Sequence, residues 1–145
     1  MRKIMIVDDN YLSAEGIEKN IDWEVLNAEI IHICYNGTSA IEAMKNEPVD
    51  LIISDIEMPD LDGISMSRQA LDINPMVKII LISAYDKFEY ARRALLLGAL
   101  DYIEKPLDYA YLIQKAKNAF ALMEKEQKKL IHQEEGEVAR DACRI

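Results

Sequence analysis

Short apolar runs alternate with stretches of helical spacing along most of the chain. Ile4–Val7, Ile30–Cys34, Leu51–Ile53, Ile79–Ile82 and Leu100–Ile103 read as five strands. Most are unbroken rather than alternating, the pattern of strands covered on both faces of a parallel sheet. Between them apolar residues recur at the spacing of one helix face. These segments are Leu12–Ile17 with the turn after it, Thr38–Met44 following Asn36-Gly37, Gly63–Leu71, and Asp86–Leu97 ended by Gly98. A last helix starts near Asp108. A strand–helix order repeated five times predicts an α/β domain, a doubly wound five-stranded parallel sheet with right-handed crossovers.

The last helical pattern is longer than such a sheet needs. It runs through Leu112, Ala116, Ala119 and Met123 towards Leu130, and past Met123 the residues are mostly Glu, Lys and Gln. The expected division is a compact domain over 1–123 and a helical extension, linker or tail over 124–145. The seven-residue steps Ala116, Met123 and Leu130 also resemble a short seam for a second copy of the chain.

Composition narrows the class. The 145 residues suit one domain with something left over, and a chain of this size buries roughly 70% of its unfolded surface. No apolar run approaches the ~20 residues of a membrane span. The apolar start at Ile4–Val7 is cut by Asp8-Asp9, too soon for a secretory leader. Two cysteines, Cys34 in a strand pattern and Cys143 in the tail, make no disulfide framework and point to the cytoplasm. His32 and His132 have no Cys or His at zinc-ligand spacing. The net charge of −9 is uneven: residues 1–106 carry 10 Lys and Arg against 19 Asp and Glu, and the remainder 7 against 7. An acidic body repels phosphate backbones, so no nucleic acid is expected to bind this chain alone.

Acidity does suit a cation site where carboxylates converge. In open α/β sheets function gathers at the carboxyl ends of strands. There this sequence places Asp8 and Asp9 after strand one, Asp55 after strand three, Ser83 after strand four, and Lys105-Pro106 after strand five. Each alone has an ordinary reading. Asp8-Asp9 could cap a helix, Asp55 could sit in a turn, Ser83 could be a loop hydroxyl and Lys105 a solvated charge. Their joint placement on one rim is what points to chemistry. Three carboxylates in one cleft raise one another's pKa unless a cation neutralises them, and Mg2+ takes oxygen ligands and favours phosphate oxygens. Asp55 then serves as a carboxylate nucleophile for a phosphoryl group, with Lys105 and Ser83 stabilising the charge on that group.

The segments Ile4-Met5-Ile6-Val7-Asp8-Asp9, Asp50 to Gly63 around Asp55, Leu81-Ile82-Ser83-Ala84-Tyr85, and Gly98 to Pro106 stand in order at fixed spacing. Together they resemble the receiver domains of two-component response regulators, over residues 2 to about 122. The resemblance implies the flavodoxin-like (βα)5 fold with strand order 2-1-3-4-5. It implies Mg2+ held by Asp8, Asp9, Asp55 and the backbone carbonyl of Glu57. It implies phosphorylation of Asp55 by a histidine kinase, Lys105 on the phosphate, a cis bond before Pro106, and Ser83 with Tyr102 as the switch pair. Tyr85 is expected to shield the acyl phosphate from water. Ile21-Asp22-Trp23 and Ser83 to Ala91 further resemble receivers fused to AraC-type DNA-binding domains, which implies transcription as the output through a domain absent from this chain. A stand-alone receiver acting by protein contact is the alternative. A haloacid-dehalogenase-type phosphatase also uses an aspartyl phosphate, but its Asp-x-Asp loop after strand one does not match Asp8-Asp9-Asn10.

Overall fold

The computed structural model describes residues 1–84, 88–99 and 101–143, with side chains up to residue 129 apart from that of Phe88. Five strands, β1 (Arg2–Val7), β2 (Ala28–Cys34), β3 (Leu51–Asp55), β4 (Lys78–Ser83) and β5 (Asp101–Glu104), alternate with five helices. The helices are α1 (Tyr11–Asn20), α2 (Gly37–Asn46), α3 (Gly63–Ile73), α4 (Phe88–Leu97) and α5 (Tyr109–Cys143). All neighbouring strands are parallel, in the order β2-β1-β3-β4-β5, as the motif pattern implied.

Because side chains alternate across a strand, each inner strand supplies two cores. Ile4, Ile6, Leu51, Ile53, Ile80 and Ile82 face α1 and α5, meeting Ala14, Ile17, Leu112, Ala116 and Ala119. Met5, Val7, Ile52, Ile79 and Leu81 face the other helices, meeting Ile41, Met44, Ile64, Met66 and Ala94. This two-sided burial holds for β1, β3 and β4 and fails at the edges. Most of β2 is half-buried, and in β5 only Ile103 is buried. An edge strand has a neighbour on one side alone, so helices shelter it less completely. Trp23 packs into the first core, and its indole N–H donates to the Ile17 carbonyl at 3.1 Å, closing the end of α1.

The long last helix is continuous, and its first half belongs to the domain. Ala116 and Met123 are buried against the sheet of their own chain, so two of the three residues of the expected inter-copy seam are already committed. The side chain of Leu130, like His132 and Cys143, lies outside the described ones. Contact with the sheet continues a turn past Met123. Glu126 pairs with Lys78 at 2.7 Å, and Gln127 accepts from Arg2 at 3.3 Å.

Candidate functional site

The carboxyl ends of β1, β3, β4 and β5 converge on one rim. Asp8 follows β1 directly, and its N–H donates to the Cys34 carbonyl at the end of β2. One Asp8 oxygen accepts the N–H of Asn10 at 2.9 Å. Asn10 itself caps α1, its side chain accepting from the N–H groups of Leu12 and Ser13. The cap role that Asp8-Asp9 could have filled thus falls to Asn10, leaving both carboxylates to face the rim. The signal was an Asn just ahead of the first helical apolar residue.

Asp55 is the last residue of β3 rather than the first of the loop. Its Oδ1 accepts the Ile56 N–H at 2.8 Å and its Oδ2 accepts Lys105 Nζ at 3.2 Å. Lys105 Nζ also lies 3.8 Å from Asp8 Oδ2. Ser83 ends β4 fully buried, and its carbonyl accepts the Lys105 N–H, which ties the end of β4 to the Lys105-Pro106 turn. The peptide bond before Pro106 is cis. Glu57 is half-buried in the loop after β3, and Tyr102 is half-buried in β5 opposite Leu81. Tyr102 lines grooves on both flanks of β5, one with Ala91, Ala94 and Leu95 and the other with Pro106, Asp108 and Tyr111. Tyr85 lies outside the described residues.

Asp8, Asp9 and Asp55 each offer an oxygen within 4.8 Å of the others. Among the described residues no other group of three acids converges in this way. Asp8 and Asp55 are buried and Asp9 is exposed. Burial pushes the Asp8 carboxyl up to about 6, against the lowering effect of the Asn10 N–H, and the neighbouring charge of Asp55 adds to the rise. Burial also pushes Asp55 above its ordinary value, opposed by the charge and hydrogen bond of Lys105 and by the Ile56 N–H. One ammonium therefore faces three carboxylates, two of them desolvated. An oxygen-only donor set with excess negative charge matches a hard divalent cation such as Mg2+.

Two residues of this region carried no role in the sequence pattern. Ser54 is fully buried and its hydroxyl donates to the Asp55 carbonyl at 2.8 Å. Gly63 packs so tightly that a Cβ there would collide with that same carbonyl oxygen. Both lie in the Asp50 to Gly63 segment, but a serine inside an apolar strand and a glycine opening a helix are each too common to mark these contacts.

The sequence model of the response regulator receiver domain matches residues 4–117. The transcriptional regulatory protein YesN of Bacillus subtilis is 30% identical over 126 residues, covering 87% of this chain and 34% of that protein. The transcriptional regulatory protein HptR of Staphylococcus aureus is 32% identical over 114 residues, covering 77% of this chain and 44% of that protein. The chain therefore spans less than half the length of these relatives. Among solved structures, the REC domain of the response regulator AraT from Geobacillus stearothermophilus superposes with a TM-score of 0.76 at 31% identity, covering 89% of this chain and 98% of that one. The two component transcriptional regulator AraC from Clostridium phytofermentans superposes at 0.78 with 29% identity, covering 89% and 99%.

Proposed function

This chain belongs to the response regulator receiver domain family, and from that premise we propose that Asp55 accepts a phosphoryl group from a histidine kinase. The observation that carries the reading is Lys105 Nζ set between Asp55 and Asp8, at 3.2 and 3.8 Å, at the edge of a three-carboxylate cluster. Asp8, Asp9 and Asp55, with the Glu57 backbone carbonyl, would hold Mg2+, which supplies neutralising charge to the phosphoryl oxygens. An oxygen of Asp55 bonds to phosphorus as the donor's bond to phosphorus breaks. Lys105 passes from the bare carboxylate to a phosphoryl oxygen, and the Ser83 hydroxyl donates to another. The protein is then a phosphoacceptor that takes part in its own phosphorylation and in the later loss of the group to water, rather than an enzyme acting on a free substrate.

The test is labelling by acetyl phosphate in Mg2+. Asp55→Asn should abolish labelling, and Asp8→Asn or Asp9→Asn should raise the Mg2+ needed by roughly tenfold or more, the scale on which ligand shells affect metal affinity. Labelling of Asp55→Asn at the normal rate would overturn the assignment. The family match sets aside the phosphatase alternative.

Phosphorylation adds about two negative charges and strong acceptor oxygens to the rim, and such a change matters when it biases a two-state element. Ser83 and Tyr102 are the proposed element, the hydroxyl moving to the phosphate and the ring turning inward. Residues 1–123 form the receiver unit and 124–145 lead towards an output domain. The relatives are named as transcriptional regulators, which favours a DNA-binding output in the cytoplasm over a stand-alone receiver acting by protein contact. No helix among the described residues is long and apolar enough to cross a membrane. Pairing of two copies along α5 belongs to the proposed output and is read by sedimentation of the free and beryllofluoride-bound protein.

A further inference from the structure

We infer that Ser54 is a positioning residue, whose hydroxyl fixes the Asp55–Ile56 peptide plane and so aims the Asp55 carboxylate; this rests on the phosphoacceptor reading of Asp55. The plane is held at both ends. Its carbonyl oxygen accepts Ser54 Oγ–H at 2.8 Å. Its N–H points to the Ile82 carbonyl at 3.1 Å and to Asp55 Oδ1 at 2.8 Å. Because a peptide unit is rigid and planar, its carbonyl and its N–H turn together. A turn that frees the carbonyl from Ser54 therefore swings the N–H away from Asp55 Oδ1, and the carboxylate loses the donor that sets its rotation. The other carboxylate oxygen is the one Lys105 holds, so a rotated carboxylate also meets Lys105 wrongly.

The surroundings say that the hydroxyl is there for this contact. Ser54 is fully buried in a strand whose neighbours Ile52 and Ile53 are buried and apolar. A hydroxyl there loses its water, which an alanine or valine would not. On the far side of the same carbonyl stands Gly63, with no room for a side chain, its N–H donating to the Ile56 carbonyl at 2.8 Å. Gly63 is braced in turn, since the buried Ser67 hydroxyl donates to the Gly63 carbonyl at 2.6 Å. The peptide that carries the acceptor is thus pinned between a donated hydrogen bond and a close backbone wall.

Threonine and valine have nearly the same shape and differ here by the hydroxyl, so Ser54→Thr and Ser54→Val cancel any crowding by the added methyl group. Two readouts are compared in these proteins, with Ser54→Ala as a third variant in case the β-branched pair fails to fold. The first is the Ile56 amide resonance and its exchange with solvent, read without metal or phosphodonor. It should match the parent in Ser54→Thr and shift and exchange faster in Ser54→Val and Ser54→Ala. The second is labelling by acetyl phosphate in Mg2+. The maximal rate should fall about tenfold in Ser54→Val relative to Ser54→Thr, with the half-saturating phosphodonor concentration unchanged. Equal Ile56 amides, or equal maximal rates, in the hydroxyl-bearing and hydroxyl-free variants would overturn the inference. Failure of the parent to label, or labelling of Asp55→Asn, would instead overturn the phosphoacceptor reading, and the amide comparison would still decide whether Ser54 holds the peptide.

Discussion

At the scale of single residues, the site is governed by what burial does to carboxylates. Asp8 is buried beside Asp55, and its carboxyl is pushed up to about 6, first by burial. Its ionisation therefore costs the folded state something the unfolded chain does not lose. Between about pH 4 and 6 the folded protein holds more protons at this group than the unfolded one, so its contribution to stability falls as pH rises through that window. Other acids titrate in the same range, and Asp8→Asn isolates the effect. In chelator, the variant's Tm should differ little from the parent's near pH 4 and exceed it by several degrees at pH 7, since about 1 kcal/mol moves Tm by roughly 3–5 °C in a chain of this size. Saturating Mg2+ should raise the parent's Tm and close the gap. A Tm difference that stays constant with pH would show that Asp8 carries no such burden. Asp60 is a second residue-scale feature. It adopts φ 69 in the loop between Asp55 and α3, a conformation open to Asp and Asn and hostile to β-branched side chains.

At the scale of elements, α1 shows how a local signal settles a global question. Asn10 accepts from the Leu12 and Ser13 N–H groups, satisfying the start of the helix by itself. Asn10→Ala should cost about 1 kcal/mol, and Asn10→Gly only a few tenths. Neither should much change Mg2+ affinity, because the Asn10 N–H that Asp8 accepts is main chain. A thermal melt and a Mg2+ titration of both variants check this; no loss of stability in Asn10→Ala would show that the side-chain cap does not matter. The two-sided burial of the inner strands was legible for the same local reason. An unbroken apolar run such as Leu51–Ile53 carries apolar side chains on both faces and so favours burial on both. At β2 and β5 the same kind of run lies on an edge, and no local rule distinguishes an edge from the middle.

At the scale of the whole molecule, the site rim and the start of the strands are opposite poles joined by the sheet. β4 carries Ser83 at one end and Lys78 at the other. Lys78 is largely sheltered and pairs with Glu126 on the stretch of α5 that outruns the core. This contact, with Arg2 to Gln127 beside it, fixes the line along which α5 leaves the domain. Glu126→Gln and Lys78→Met should each raise amide exchange over residues 124–129 several-fold, with a stability cost of about 1 kcal/mol or less. The exchanged pair Lys78→Glu with Glu126→Lys should restore much of the protection. Unchanged exchange in Glu126→Gln would mean that the pair does not hold the helix.

What the residue order determines by itself is the set of elements and the rim they share. Short apolar runs and 3.6-residue periodicity are local properties of the chain, and in a parallel α/β sheet with right-handed crossovers every strand's carboxyl end lies on one side. The sequence pattern alone therefore groups Asp8, Asp9, Asp55, Ser83 and Lys105 on one rim. The half-burial of β2 and β5 and the use of Ala116 and Met123 within one chain were decided by tertiary packing. The same is true of the Ser54 and Gly63 contacts on the Asp55 carbonyl and of Lys78 with Glu126, 48 residues apart. These depend on which segments meet across the sheet and at what distance. A hydrogen bond made or missed within a few tenths of an ångström leaves no periodicity in the sequence.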